Sequence, residues 1–215
     1  VLNPYWDAVS DKACMSERHS WDRGVMVGGD GHWEDYKGRH DLTSRYAWTI
    51  TDPATVAFVA EQAGLRIIDP LAGTGYWAWL LRQSGADVAA SDLNPPDVAK
   101  NTWHRESTVH TEIAQADAVD AVTVLGDDRT LLLAWPPYGD PIGAAVLAAY
   151  RGPRVVYIGE GEYGCCGGED MWTAIGSGWA QVAEHRPVQW WGIHDYVTVY
   201  VRQPALLPLA AAVTP

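Results

Sequence analysis

Four short stretches carry residue types that do chemistry, at spacings that chemistry uses. The first is Asp69-Pro70-Leu71-Ala72-Gly73-Thr74-Gly75. Gly73 and Gly75 permit a sharp turn and close approach of backbone to a ligand. Asp69 offers a carboxylate to a ligand ammonium, or to the loop itself. No third glycine and no Gly-Lys-Ser follow, which opposes dinucleotide and nucleoside-triphosphate readings. The second is Ser91-Asp92-Leu93, about twenty residues on, where an acid ending the next strand suits a pair of ribose hydroxyls. The third, Gln115-Ala116-Asp117-Ala118, sets an acid where an adenine-type amine can meet it. The fourth is Ala134-Trp135-Pro136-Pro137-Tyr138. Two prolines end a sheet ladder, Pro137 offers the Pro136 carbonyl no donor, and Tyr138 can stack on a planar group.

Other residues extend this set. Tyr46 and Trp48 lie in Ser44–Ile50, just before a well-capped helix, placed to close over a ligand. Glu160 follows an apolar run and His194 adjoins Asp195, so each is a candidate proton acceptor. Cys165-Cys166 and the scattered histidines have no metal-ligand spacing, and no metal centre is expected.

The elements that must position these residues alternate between strand-like and helix-like. Asp52 can cap and Pro53 open a helix with Val56, Val59, Ala60 and Ala63 on one face and Gly64 at its end. Arg66–Asp69 reads as a buried strand, and Trp77, Leu80, Leu81 and Ser84 share a helix face. Ala86–Asp92, Thr130–Trp135 and Arg154–Gly159 read as strands, and Val109–Ile113 as a further one. Ile142–Tyr150 and Asp170–Ile175 read as helices. In Tyr196–Arg202, valines alternate with Thr198, Tyr200 and Arg202, the period of an antiparallel edge or hairpin strand. The expected fold is therefore α/β: a Rossmann-like, doubly wound, mostly parallel seven-stranded sheet with a C-terminal antiparallel hairpin. Its ligands bind at the carboxyl ends of the strands. Residues 1–45, rich in glycine and charge, read as an irregular arm or lid, 46–203 as the main domain and 204–215 as a tail.

Composition narrows the partners. With 27 acidic and 15 basic residues the formal charge is −12, and no Lys/Arg run offsets it. That opposes a nucleic-acid partner. Three cysteines with one adjacent pair make no disulfide framework and suit a reducing compartment. No leader or membrane span is read, so the expected location is cytoplasmic. Twelve Trp and ten Tyr against one Phe suit a pocket for a planar or cationic group.

The Asp-Pro-Leu-Ala-Gly-Thr-Gly loop, the Ser-Asp-Leu strand end and the Pro-Pro-Tyr turn, in this order, resemble the class I methyltransferases. The likeness spans about Ile67 to Gly159 and is nearest the amino-methyltransferase branch. It implies S-adenosylmethionine as cofactor, held by Asp69, Leu71, Ala72, Gly73, Gly75, Asp92, Leu93, Asp117 and Trp135. It implies that the Pro136 carbonyl and Tyr138 position the acceptor; the residues read above add Tyr46, Trp48, Trp135, Pro137 and Tyr138 as acceptor contacts and Glu160 and His194 as catalytic candidates beside Pro136 and Tyr138. Transfer to a nitrogen of a small molecule, nucleoside or peptide is expected, with oligomeric state open. The alternatives are a nucleic-acid base methyltransferase of the adenine-amino type, a non-catalytic cofactor-binding module and a nicotinamide-dependent oxidoreductase. The family's Asn, Asp or Ser before the two prolines is here Trp135, which has only a donor and suits an aromatic wall.

Overall fold

The computed structural model describes residues 1–19, 22–28, 33–104 and 108–204. Seven strands form the main sheet: β3 (Arg66–Asp69), β4 (Asp87–Asp92), β5 (Ala114–Gln115), β6 (Thr130–Ala134), β7 (Arg154–Glu160), β8 (Trp179–His185) and β10 (Asp195–Arg202). Their order is β5-β4-β3-β6-β7-β10-β8. Pairs from β5 to β7 are parallel, and β10 runs antiparallel to both neighbours. Chain order reverses between β3 and β6, the switch point at which a doubly wound sheet opens a crevice.

Local chemistry explains the crossovers. Helix α3 (Pro53–Ala63) starts where Asp52 Oδ1 accepts the N–H groups of Ala54 (3.1 Å) and Thr55 (3.0 Å), and ends at Gly64 with φ +72°. Helix α4 (Tyr76–Gln83) buries Trp77, Leu80 and Leu81 against the sheet. Helices α5 (Ala118–Leu125), α6 (Ile142–Ala149) and α7 (Glu169–Gly178) cover the other face with Val122, Val146, Met171 and Ile175. A sheet packed on both faces accounts for the nearly uniform burial of Leu131–Leu133 and Val155–Ile158.

Residues 1–45 differ from the expected irregular arm. They form α1 (Pro4–Val9), a 3-10 turn at Ser10–Lys12, the antiparallel pair β1 (Ala13–His19) and β2 (Asp22–Val27), and α2 (Trp33–Arg45). The short β9 (Gln189–Trp190) adds to β2 in parallel. Asn3 caps α1 by accepting the Trp6 N–H at 3.1 Å, and the same oxygen accepts the hydroxyls of Thr51 (3.0 Å) and Tyr76 (2.9 Å). Tyr5 is fully buried and stacks on Tyr46 at 5.3 Å, and its hydroxyl accepts the Trp190 indole N–H at 2.8 Å. These contacts tie the N-terminal segment into the core beside the strand ends.

One further expectation changes and another is narrowed. Val109–Ile113 is not a strand; the ladder forms at Ala114–Gln115. For Tyr196–Arg202 the hairpin alternative holds and the edge does not: β8 pairs antiparallel along its outer side, and Thr198 is buried along with Val197 and Val199. Helix α5 follows from Asp117, whose Oδ1 accepts the N–H groups of Val119 (2.8 Å) and Asp120 (3.2 Å). The expected tail 204–215 lies, beyond Pro204, outside the described residues. Among the described residues no helix is long and apolar enough to cross a membrane.

Candidate active site

A cavity of about 570 Å³ opens at the carboxyl ends of β3, β4 and β6, within the range of small-molecule sites. Leu71 and Gly73 line it from the loop after β3, and Asp92, Leu93 and Asn94 from the end of β4. Asp117 and Ala118 enter at the start of α5. Trp135, Pro136, Pro137 and Tyr138 enter after β6. A smaller recess of about 40 Å³ lies beside it, lined in part by Tyr46, Asp69, Ala72, Tyr76 and Trp77. Six residues line both spaces and make up the wall they share, termed the neck: Trp48, Leu71, Gly73, His104, Ala134 and Trp135.

The glycine loop is shaped for close approach. Gly73 has φ +54°, and a Cβ there would sit 2.5 Å from His104 Nε2. Gly75 has φ +71°, and a Cβ there would meet Thr111 and Ile113 at 3.0 Å. The Gly75 N–H closes the turn onto the Ala72 carbonyl at 2.7 Å. Gly75 lines neither space; it shapes the loop and opens α4.

Asp69 is 1 % exposed, and its Oδ1 is a buried polar atom with no partner. The Leu71 N–H bonds the carboxylate. Burial, then the charge of Asp92, raise its pKa to about 7. Asp92 is differently employed: Oδ2 accepts the Gly73 N–H and Oδ1 the Asn94 N–H, both at 2.9 Å. A carboxylate has about four acceptor sites, so capacity for a hydroxyl pair remains. Asp117 lines the cavity while capping α5.

Trp135 is the one described non-glycine residue with positive φ, at 47°. Such a backbone costs about 1–3 kcal/mol and needs support from its surroundings. Its N–H bonds the Ile158 carbonyl at 2.8 Å, and its indole N–H bonds Thr49 Oγ1 at 2.9 Å. Its ring stacks on Trp48, centroids 5.3 Å apart at 22°. Trp103 packs edge-on against Trp48 at 6.3 Å. Behind this wall lies Asp195, buried, with Oδ1 unpartnered. Burial raises its pKa to about 7, against a hydrogen bond from Thr49.

Several catalytic candidates sit differently from expectation. The Pro136 carbonyl is not free, since it accepts the Gly167 N–H at 2.8 Å. Glu160 is buried outside the cavity walls; Oε1 accepts the His194 N–H and Oε2 the Cys165 N–H, both at 2.8 Å. His194 Nδ1 stands 3.6 Å from Glu160 Oε1 and likewise lines neither space. These two residues hold the loop that brings Cys165 to the cavity. Tyr138 is 71 % exposed at the rim, beside Asp140.

Residues not foreseen from the sequence are Asn101, Trp103, His104, Asp140 and Cys165. Asn101 Oδ1 accepts the N–H groups of Trp103 (2.9 Å) and His104 (3.0 Å), a turn pattern that asparagine favours. That turn is the one local signal available. Among the described residues no group of three or more His, Cys, Asp or Glu could hold a metal ion.

No protein-family model and no curated protein matches the chain. Solved structures show some likeness. A magnesium protoporphyrin IX methyltransferase from Synechocystis PCC 6803 with bound S-adenosylmethionine is 17% identical, covering 81% of this chain and 87% of its own, at TM-score 0.49. A TehB-like S-adenosylmethionine-dependent methyltransferase from Corynebacterium glutamicum is 18% identical, covering 81% and 100%, at TM-score 0.47. A 1,6-didemethyltoxoflavin-N1-methyltransferase from Burkholderia thailandensis is 18% identical, covering 88% and 99%, at TM-score 0.45. At such scores the likeness settles no chemistry, which has to come from the site.

Proposed function

We propose that this chain is an S-adenosylmethionine-dependent methyltransferase acting on a planar nitrogen acceptor that carries no negative charge. The observation that carries the reading is Asp69: a buried carboxylate with one oxygen unpartnered, in a residue that lines the smaller recess beside a glycine turn. Isolated buried carboxylates are costly, and a bound cation relieves the cost. The recess suits an amino-acid ammonium, and the larger cavity suits a nucleoside, with Asp92 left able to accept sugar hydroxyls. The neck between them is then the place of the sulfonium, walled by Trp48 and Trp135, whose ring faces favour a positive charge.

The bound cofactor supplies an activated methyl group. The chain supplies alignment: Asp69 and Asp92 fix the two ends, and the tryptophans fix the approach of a flat acceptor. Alignment of that kind removes up to roughly 7–11 kcal/mol from a bimolecular barrier. Trp135 offers no acceptor atom for an amine, so stacking does the orienting in place of a side-chain carbonyl.

The charge of the site selects the acceptor. Asp92, Asp117 and Asp140 line the cavity, with no Lys or Arg among its described lining residues. Phosphorylated and nucleic-acid acceptors are therefore opposed, which weighs against the adenine-amino reading on polynucleotides. Isothermal titration tests the proposal. Micromolar binding of S-adenosylmethionine and S-adenosylhomocysteine, lost in Asp69→Asn, supports it. Absence of binding to the wild type ends it.

A further inference from the structure

We propose that His104 accepts the proton that the acceptor nitrogen loses as it is methylated; this rests on the methyltransferase reading. His104 is one of the six residues shared by both spaces, so it stands at the neck where the methyl group would lie. Its ring lies over the glycine loop, with Nε2 and Cδ2 at 2.5 and 2.8 Å from where a Gly73 Cβ would be. No side chain other than hydrogen fits beneath that ring, so Gly73 serves His104 as well as the ligand.

Two backbone carbonyls, of Ser44 and Thr43, bond the His104 ring, and the tautomer follows from the Ser44 contact, the one placed on a named ring nitrogen. His104 Nδ1 lies 3.2 Å from the Ser44 carbonyl oxygen, at the end of α2. A carbonyl only accepts, so the proton belongs on Nδ1, and a neutral ring carries its lone pair on Nε2. The Asn101 side chain pins the His104 backbone. The ring is 8 % exposed, and burial holds its pKa below the usual histidine value. The charged or titratable groups facing it are Asp92, which favours protonation, and His110, which opposes it.

The other candidate bases are employed or distant: of the further acids in the cavity wall, Asp117 Oδ1 caps α5 and Asp140 Oδ1 accepts the Ile142 N–H at 2.8 Å. Asp69 faces an ammonium and Asp92 holds the loop. Glu160 and His194 lie outside the walls, and burial beside Glu160 raises the Cys165 thiol. The step then balances. The nitrogen lone pair forms the N–C bond as the S–C pair leaves with sulfur as a neutral thioether. The N–H pair stays on nitrogen, and the proton passes to Nε2 and on to solvent.

Benzimidazole, a flat molecule with one ring N–H, and 1-methylbenzimidazole, which lacks it, are suitable probes. Each is titrated into the protein saturated with S-adenosylhomocysteine, for wild type, His104→Ala and His104→Phe. The expected result is about 5- to 10-fold weaker benzimidazole binding in both variants, the worth of one hydrogen bond. Binding of 1-methylbenzimidazole changes less than 2-fold, each variant being held at saturating S-adenosylhomocysteine by its own Kd. On ¹⁵N-histidine spectra at pH 7, His104 shows a protonated Nδ1 and a bare Nε2. The proposal is overturned by a proton on Nε2, by equal losses for both probes, by no benzimidazole binding, or by tighter cofactor binding in His104→Ala. Failure of the wild type to bind S-adenosylhomocysteine sinks the methyltransferase reading itself.

Discussion

Cofactor affinity should depend on pH through Asp69, and the structure fixes the direction. Its pKa is raised to about 7, first by burial and then by Asp92. An ammonium pairs with the ionised form, so below pH 7 binding must first expel a proton. Affinity then falls by nearly tenfold per pH unit, about 50-fold between pH 7 and pH 5. Above about pH 8 the ligand's own α-amino group, ordinarily near 7.7–8.0, loses its charge and affinity falls again. The optimum lies between pH 7 and 8. Acid unfolding does not mimic the low-pH loss. The folded chain holds this proton more tightly than the unfolded chain, so the associated stability is full below pH 4 and fades as pH rises through 7. Raising a carboxyl from 3.8 to about 7 corresponds to about 4 kcal/mol. Titration calorimetry from pH 5 to 8.5, in buffers of different ionisation heat, counts the protons released. Asp69→Asn should flatten the profile below pH 7 and weaken binding by about 10²–10³-fold, the cost of stranding one partner of a buried pair. A wild-type Kd that stays constant from pH 5 to 7 would refute the assignment of Asp69.

Three other outcomes are expected. Asp195→Asn should raise stability above pH 7 by up to about 4 kcal/mol, because its carboxyl is also raised to about 7 and the stability tied to its proton is lost as pH rises from 4 through 7; urea unfolding at pH 5 and 8 checks this. Gly73→Ala should destabilise the fold by about 1–2 kcal/mol through its left-handed backbone alone and displace His104, read as a lowered Tm with weakened cofactor binding. Tyr150→Phe should cost about 1–3 kcal/mol in urea unfolding. The Tyr150 hydroxyl accepts the Leu131 N–H at 3.2 Å and lies within donor reach of the Arg129 (2.6 Å) and Arg154 (2.7 Å) carbonyls, so its loss strands buried backbone groups at the feet of β6 and β7.

What could be read in the sequence was what local chemistry determines. The cap Asp52-Pro53, the turn through Gly73 and Gly75, and the acids ending β3 and β4 each depend on a few consecutive residues. What escaped depends on distant partners. Asp52 Oδ2 also accepts the Val188 N–H, 136 residues away. Asp117 reads equally as a ligand contact or as a helix cap, and the structure shows it capping α5 while lining the cavity. The strand β8, Trp179-Ala180-Gln181-Val182-Ala183-Glu184-His185, has little apolar alternation because one long side lies at the sheet edge. His104 lies in a stretch without periodicity that is drawn over the loop by contacts such as His110 N–H to the Thr74 carbonyl at 2.9 Å.

Trp135 shows how those distant contacts serve the site. A tryptophan at φ 47° has no local reason to stay there, since its own backbone preference opposes it. Thr49 bonds the indole, Trp48 stacks on it, and Ile158 holds its N–H. Thr49 in turn bonds the buried Asp195. Replacing Trp135 with Asn tests whether this wall selects the acceptor. Asparagine tolerates the left-handed backbone, so the change relieves strain while removing a stack worth about 0.5–1.5 kcal/mol. It also removes the Thr49 hydrogen bond and the ring's partial burial against the core, where large-to-small tryptophan changes cost about 3–5 kcal/mol, so net stability should fall by roughly 1–3 kcal/mol. Flat probes such as benzimidazole should bind at least fivefold more weakly, while S-adenosylhomocysteine, anchored at Asp69 and Asp92, loses less. Equal losses for both ligands would mean that the tryptophan supports the whole crevice and selects nothing.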